Sequence, residues 1–364
     1  MKSTRRQFTK PIKIALLCLN IFIAVVYMLS AYAGYINPNT WIHPAFLGLA
    51  YPILLPIVAL FLLVWIFTDR RFLLVSGIAL AATIGQIWSF CPLNFGGASG
   101  QDADFRVMTY NTFGMRSPDT SPTVVDEILE YDADFVCIQE SALVPVIRNR
   151  FKGHGWEKIE QRYPHFDVSA ATNLGYLSKK PVETIAEDYD DQYFCYAIYR
   201  TTIGKRQAYF FSIHLESIGL SNSDKQLYME LTAPDDRNRS LRGVRSQLLS
   251  KLGRAFRARA KQAELIREKI DSIRDRQPDA AIFVCGDFND TPQSYAYQTI
   301  KGDMNDAYID GALGPTYTYN ANRFYFRIDH ILYEGNGIEA TSAARGSSKA
   351  SDHYPVIADF EIGK

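Results

Sequence analysis

Three apolar stretches within the first ninety residues constrain this chain more than anything that follows them. Residues 14–36, 45–67 and 72–90 are each apolar over roughly 20 residues, the length at which a helix crosses a bilayer. Pro52 and Pro56 interrupt the second stretch, which membrane helices tolerate when neighbouring groups take up the freed carbonyls. Lys2, Arg5, Arg6, Lys10 and Lys13 precede the first stretch and Asp69-Arg70-Arg71 divides the second from the third, whereas residues 37–44 hold neither lysine nor arginine. By the positive-inside rule the N-terminus and the Asp69 loop are cytoplasmic, and the chain leaves the third helix on the opposite side, periplasm or cell exterior. Ala31-Tyr32-Ala33 also resembles a signal-peptide cleavage site, but the stretch is long for such a segment and the topology is the same either way. No carboxylate or arginine lies inside the three stretches to mark a transport pathway, which argues against a transporter.

The small, flexible sequence Phe95-Gly96-Gly97-Ala98-Ser99-Gly100-Gln101 separates this anchor from the rest. The expected organisation is a membrane anchor at 1–95, a linker at 96–103 and one soluble domain at 104–364. The 39 basic and 39 acidic side chains of the whole chain balance, so net charge gives no reason to expect a polyanionic partner. Cys18, Cys91, Cys137, Cys195 and Cys285 have no metal-ligand spacing and read as small buried hydrophobes. Strand patterns occur at 107–110, 135–138, 173–178, 193–200, 208–213, from Ala281, at 326–332 and at 354–360, with helices over 122–131 and 241–274.

Several of these strands end in polar groups. Ala281-Ile282-Phe283-Val284-Cys285 stops at Gly286-Asp287-Phe288-Asn289-Asp290, and Asp287 and Asn289, two apart on extended backbone, face the same way. Other strand ends supply Asn111, Glu140, His214, Asp329, Asp352 and His353. Carboxylates and amides without cysteine suit magnesium or manganese rather than structural zinc. With two histidines they are also the parts needed to hydrolyse a phosphate ester: groups for a cation, a base for water, and donors for developing charge. Taken singly, each has a plainer reading. Glu140 is then a solvated loop residue, His214 a core histidine, Asn289 a turn former and Asn111 a strand-end amide. Tyr110 and Phe288 read as core.

Val107-Met108-Thr109-Tyr110-Asn111, Ile138-Gln139-Glu140, Ser212-Ile213-His214-Leu215, Gly286-Asp287-Phe288-Asn289, Arg327-Ile328-Asp329-His330-Ile331 and Ser351-Asp352-His353-Tyr354-Pro355-Val356 together resemble the endonuclease/exonuclease/phosphatase superfamily, in that family's order. The resemblance covers essentially all of residues 104–364, and the apolar stretches have no counterpart in it. It implies a four-layer α/β sandwich, two mixed β-sheets packed face to face with helices outside, here preceded by three transmembrane helices. It implies Glu140 as the principal metal ligand, with Asn111 and Asp352 helping, and magnesium (or manganese) as cofactor. Asp287 would orient or deprotonate water, Asn289 would hold the phosphate or that water, His353 paired with Asp329 would sit against the phosphate, and His214 would assist an oxygen. Ser141-Ala142-Leu143 follows the glutamate where abasic-site endonucleases carry a run containing lysine, and they have a tyrosine at the position of His214. The chain is thus nearer the deoxyribonuclease and sphingomyelinase branches than DNA repair.

The expected function is a membrane-anchored hydrolase of phosphodiesters, either nucleic acid or lipid head groups, bound to membrane lipid through its N-terminal helices. The alternative is a catalytically silent, membrane-anchored binding domain, against which the intact residue set stands. No obligate protein partner is readable. Residues 237–261 carry nine basic side chains and no acidic ones, with Leu241, Val244, Leu248, Leu249, Leu252 and Phe256 at helical spacing. This segment reads either as a solvated helix packed on the sandwich or as a helix lying on anionic head groups, and Gly243 and Gly253 count against one straight helix. Gly175-Tyr176 and residues 311–323 are candidates for shaping the substrate groove.

Overall fold

The computed structural model describes residues 9–95, 103–115, 119, 121–189, 194–219, 241–321 and 325–363, with the backbone alone for 241–246. The first apolar stretch forms one helix, α1 (Lys10–Ala31), long and apolar enough to span a bilayer. The second and third do not form single helices. The second is α2 (His43–Leu49) and α3 (Tyr51–Phe67), bent by 71°, and the third is a helical segment running through α4 (Leu73–Ala82) and then α5 (Ile84–Phe90), bent by 62°. Counting each bent pair as one span gives up to three among the described residues.

The breaks have local causes. Pro52 has no N–H to continue α2 into α3, so the chain turns there, whereas Pro56 is accommodated within α3. At the other break the Thr83 hydroxyl bonds back to the carbonyl of Ala79 at 2.9 Å and meets the Tyr27 hydroxyl at 2.6 Å, a pattern that bends helices.

From α1 to the 69–83 segment run the polar side-chain contacts Lys13–Asp69 at 3.3 Å, Asn20–Ser76 at 3.0 Å and Tyr27–Thr83 at 2.6 Å. The rungs advance seven residues on both sides, so α1 and the 69–83 segment run parallel, with α3 packed against both. The charged rung lies at one end of the bundle. At the other end Asn37 donates to Glu264 at 2.9 Å, Phe46 meets Phe256 edge-on at 5.3 Å, and Arg327 donates to the Ser89 carbonyl at 3.3 Å. The helical unit therefore stands directly on the remainder of the chain.

That remainder is built on two six-stranded sheets among the described residues. The first contains β1 (Phe105–Asn111), β2 (Phe135–Gln139), β3 (His165–Val168), β4 (Gly175–Ser178), β11 (Ile338–Arg345) and β12 (Val356–Ile362), in the order β11-β12-β1-β2-β4-β3. The second contains β5 (Glu183–Tyr189), β6 (Cys195–Ile203), β7 (Arg206–His214), β8 (Ala281–Asp287), β9 (Asn305–Asp306) and β10 (Asp329–Glu334), in the order β5-β6-β7-β8-β10-β9. Each is mixed, with one parallel pair at its centre, β1–β2 and β7–β8, flanked by antiparallel neighbours. Apolar residues on both faces of these central strands demand cover on both sides. Between the sheets Phe135 stacks on Phe210 at 3.9 Å and Phe210 on Phe283 at 4.7 Å.

Outside the first sheet lie α6 (Val124–Tyr131), α7 (Val144–Arg150) and α8 (Trp156–Arg162), burying Val125, Ile128, Ile147 and Ile159 with Met108, Val136 and Ile138. Outside the second lie α9 (Leu241–Arg276) and α10 (Tyr295–Lys301), burying Ile266, Ile270 and Tyr297 with Phe211, Ile282 and Val284. The expected four-layer sandwich is therefore what forms. The basic segment is one continuous α9 from Leu241 onward despite Gly243 and Gly253. Gly253 faces α2, where a Cβ would make only ordinary contact with Phe46 at 3.6 Å. Residues 96–102 of the expected linker, and the basic Lys2, Arg5, Arg6, Arg237 and Arg239, lie outside the described residues.

Candidate active site

Both parallel pairs end at the same edge of the sandwich. Asn111 closes β1 opposite Gln139, and Glu140 follows in the left-handed region at φ 48°, a turn that swings its carboxylate outward. In the other sheet Asp287 pairs with His214 on one side and Asp329 on the other, so three of the expected residues share one row across β7, β8 and β10. Gly286 makes that row close: its φ is 152°, and a Cβ would stand 2.0 Å from the carbonyl oxygen of Ile213.

Asp287 is the centre. Its Oδ2 accepts from Asn111 Nδ2 at 3.0 Å and lies 3.6 Å from both His214 Nε2 and His353 Nε2, while its Oδ1 accepts from the Asn289 backbone N–H at 2.7 Å. The same Asn111 nitrogen donates to Glu140 Oε1 at 3.0 Å, and His214 Nε2 is 3.4 Å from that oxygen. Asn289 also donates to the Leu215 carbonyl at 2.9 Å, and at φ 50° it is both a turn former and a member of the site. His353 Nδ1 is bonded to Asp329 Oδ2 at 2.8 Å, and Thr318 Oγ1 accepts from the Asp329 backbone N–H at 3.0 Å. Asp352 lines the same cleft, and its carbonyl accepts from the Asn320 N–H at 2.9 Å.

All eight expected residues thus gather at one end of the sheets. Glu140, His214 and Asp287, and again Asp287, Asp329 and His353, hold ligand atoms within 4.8 Å of one another. His214 is buried, yet what it faces is carboxylate, not core. Burial raises the pKa of Glu140, but the hydrogen bond and charge of His214 more than reverse this and hold it at about 2. Asp287 is raised to about 6, chiefly by burial and with Asp329 adding, against the pull of His353 and His214. Burial disfavours a charged His353, but Asp329 and Asp287 outweigh it and lift its pKa to about 10. His214 is likewise raised despite burial, by hydrogen bonds to Cys195 and Glu140.

The donor set fits a hard divalent cation. The clustered ligand atoms are carboxylate oxygens and imidazole nitrogens with no thiol among them, Glu140 keeps 40% of its side chain exposed, and the Asp329 Oδ1 atom is buried with no hydrogen-bond partner. Asn111 presents its amide nitrogen to both carboxylates while its Oδ1 accepts from the Phe113 N–H at 3.2 Å, so ligation through Asn111 requires that amide to turn over.

Some partners escaped the sequence. Arg259, inside the basic segment, is 1% exposed rather than solvated; it donates to Asp290 at 2.9 Å and to the Glu216 carbonyl at 2.9 Å. Ser351 donates to the Asn111 carbonyl at 2.8 Å and so ties the Asp352-His353 segment to β1. Tyr176, expected at the groove, instead stacks on Phe135 and meets Tyr199 at a tilt between the sheets. Of residues 311–321, Tyr319 does reach the site, with its ring 5.0 Å from that of His353.

A model of the endonuclease/exonuclease/phosphatase family matches residues 108–353, from β1 to the histidine of the site. The chain belongs to that family. A second model, of a domain of unknown function, matches residues 13–90. Solved structures similar to this member of the family include truncated TDP2 of Caenorhabditis elegans, at 16% identity and a TM-score of 0.47, covering 70% of this chain and 96% of that one. The human Nocturnin catalytic domain with bound sulfate aligns at 16% identity and 0.47, over 71% and 93%. A mannosyl-6-phosphatase of Bacteroides thetaiotaomicron aligns at 16% and 0.42, over 71% and 100%. No protein of curated function matches the chain.

Proposed function

We propose that the chain is a membrane-anchored, divalent-metal-dependent phosphoesterase that cleaves phosphodiesters by attack of water. The observation that carries this reading is Asp287 Oδ2 poised between Asn111 and two histidine nitrogens, beside Glu140, at the floor of a cleft of about 410 Å³. Glu140, Asn111 and Asp352 would hold the cation, which when bound neutralises phosphoryl charge. Asp287, with its raised pKa, takes the proton of the attacking water, and Asn289 holds the phosphate or that water. His353, kept protonated by Asp329, donates to a phosphate oxygen. His214 stands on the other side of Asp287 and serves a second oxygen. As the water oxygen bonds to phosphorus the phosphorus–oxygen bond to the leaving group breaks; the leaving oxygen takes a proton from charged His214, and the proton gained by Asp287 restores that histidine.

Anchoring is supported by α1 and by the exposed aromatic residues Tyr32, Tyr35 and Trp41 at the end of the bundle nearest the sandwich, the level at which such rings sit at a bilayer surface. The charged rung Lys13–Asp69 marks the opposite end, with Arg70 and Arg71 beside it. On this arrangement each bent pair completes a crossing, the anchor ends near residue 95, and the sandwich from residue 104 lies outside the cytoplasm.

The test is hydrolysis of bis-p-nitrophenyl phosphate, plasmid DNA and phospholipid by the full chain in detergent, with magnesium, with chelator, and in the variants His353→Ala and Asp287→Asn. Magnesium-dependent turnover that falls by about 10³-fold or more in either variant is expected. Turnover that persists in both variants, or none on any substrate by folded protein, would overturn the reading.

A further inference from the structure

The cleft has two kinds of wall. One part of the lining is Glu140, Asp287 and His353; another is Leu49 of α2 with Leu248, Leu252 and Phe256 of α9, and Ile218 and Phe326 add further apolar surface. Leu49 is the last residue of α2, from the helical unit, while Leu248, Leu252 and Phe256 recur on one face of α9, which Phe46 of α2 touches. Leu49, Leu248 and Leu252 are half-buried rather than packed away, so they offer apolar surface to whatever lies in the cleft. At about 410 Å³ the cleft is of the size that encloses a whole small molecule, roughly 300–1,000 Å³, and a phosphate alone leaves much of it unfilled.

Charge narrows the choice of occupant. Among the described residues lining the cleft the one lysine or arginine is Arg259, and its guanidinium is already engaged by Asp290 and the Glu216 carbonyl. A groove for nucleic acid needs lysines and arginines along the phosphate backbone, and this cleft offers aliphatic surface instead. Position narrows it further. Leu49 belongs to the stretch bounded by exposed Tyr35 and Trp41 on one side and the apolar α3 on the other.

We infer that the helical unit is part of the substrate site: the substrate is a bilayer amphiphile whose phosphate ester sits at Glu140, Asp287 and His353 while its alkyl chain runs along Leu49, Leu248 and Leu252. The inference rests on the phosphoesterase reading and names its substrate class. The chain leaves the bilayer between α2 and α9 and never becomes fully exposed to water, which removes the cost of extracting it.

The experiment compares methyl p-nitrophenyl phosphate with hexadecyl p-nitrophenyl phosphate, which share a leaving group and differ only in the chain. The full-length protein is assayed with magnesium in one nonionic detergent, as wild type and as Leu49→Gln, Leu252→Gln and the double variant. A kcat/KM ratio of hexadecyl to methyl ester of at least about tenfold in wild type, falling severalfold in each variant, is expected. A ratio near one, or one insensitive to both substitutions, overturns the inference, because partition of the ester into micelles is common to all variants. A second measurement is the rise in thermal midpoint caused by hexadecyl phosphate. If neither ester is cleaved while hexadecyl phosphate stabilises wild type and not the double variant, the hydrolase reading falls and the amphiphile site stands. If hexadecyl phosphate stabilises neither, the amphiphile site falls.

Discussion

Asp329 hydrogen-bonds within the site to His353, beside Asp287 on the neighbouring strand. With Oδ2 on the imidazole at 2.8 Å and its N–H held by Thr318, it fixes the ring so that Nε2 faces Asp287 and keeps that ring charged. Asp329→Asn retains the shape and removes the charge, so kcat is expected to fall between about 10²- and 10⁴-fold with KM little changed. A rate close to wild type would remove His353 from the reaction. The next residue has a different task. His330 is buried between Phe288 and Tyr297, each ring 4.8 Å away, with Nε2 on the Asp290 carbonyl at 3.1 Å; burial, and Arg327 after it, hold its pKa down at about 4. Asp306 and Asp329 pull the other way but do not win. In the unfolded chain a histidine binds its proton near pH 6.5, whereas the folded protein refuses it until about pH 4. Stability from this residue is complete above pH 6.5 and is lost as pH falls toward 4, by up to about 3 kcal/mol. Urea unfolding across pH 4–7 should show that slope in wild type, and a flatter one in His330→Gln.

At the scale of elements, the backbone of Gly286 lies so close to that of Ile213 on the neighbouring strand that no side chain fits there. Gly286→Ala places a methyl group 2.0 Å from a carbonyl oxygen at a backbone angle that side chains rarely adopt, so neither rotamer change nor a small shift relieves it. A loss of about 3 kcal/mol or more is expected in chemical denaturation, together with loss of activity, since β7 and β8 carry His214 and Asp287 at the same point. A soluble, fully active Gly286→Ala would show that the row of three residues is not as tight as described. The glycine was visible in the sequence only as punctuation before Asp287. Strand legibility followed the same line between inside and edge. The eight expected strands are the eight interior ones, whose apolar faces are covered on both sides. The four that escaped, β3, β5, β9 and β11, are the four edges; β5 reads Glu-Thr-Ile-Ala-Glu-Asp-Tyr and is largely exposed, and β9 has two residues. An edge strand is held by the ladder beside it more than by its own pattern, so its sequence need not announce it. Arg259–Asp290 escaped for a related reason: a pair 31 residues apart depends on how α9 docks, and a charge run gives no sign of which member turns inward.

For the molecule as a whole, the question is whether the helical unit only tethers the sandwich or also completes its site. Sequence alone separated the two at a glycine-rich segment and gave the apolar stretches no part in the chemistry, because contacts between residues 30–50 and 250–300 leave no periodic trace. In the structure Gly34 lies against α10: a Cβ there would stand 2.6 Å from Gln298 Cγ and 2.8 Å from the Ser294 carbonyl, and one at Gly48 would stand 3.2 Å from the Gln293 carbonyl. These two glycines let the helical unit approach the sandwich closely enough for Leu49 to reach the cleft. Gly34→Val is a wedge between the units, far from Asp287 and His353 in role. It is expected to cost about 1–3 kcal/mol through overpacking and to move Leu49 away from α9. The small methyl ester, which needs only the polar end of the cleft, should be cleaved at close to the wild-type rate, while the preference for the hexadecyl ester should shrink. Gly77→Ala is the control, since its Cβ would meet only Leu62 at 4.0 Å within the bundle, and it should leave both rates and their ratio alone. If Gly34→Val lowers the two rates in equal proportion, the contact supports the fold of the sandwich rather than the cleft wall. If it changes neither, the helical unit is a tether, and the apolar side of the cleft belongs to α9 and the loops alone.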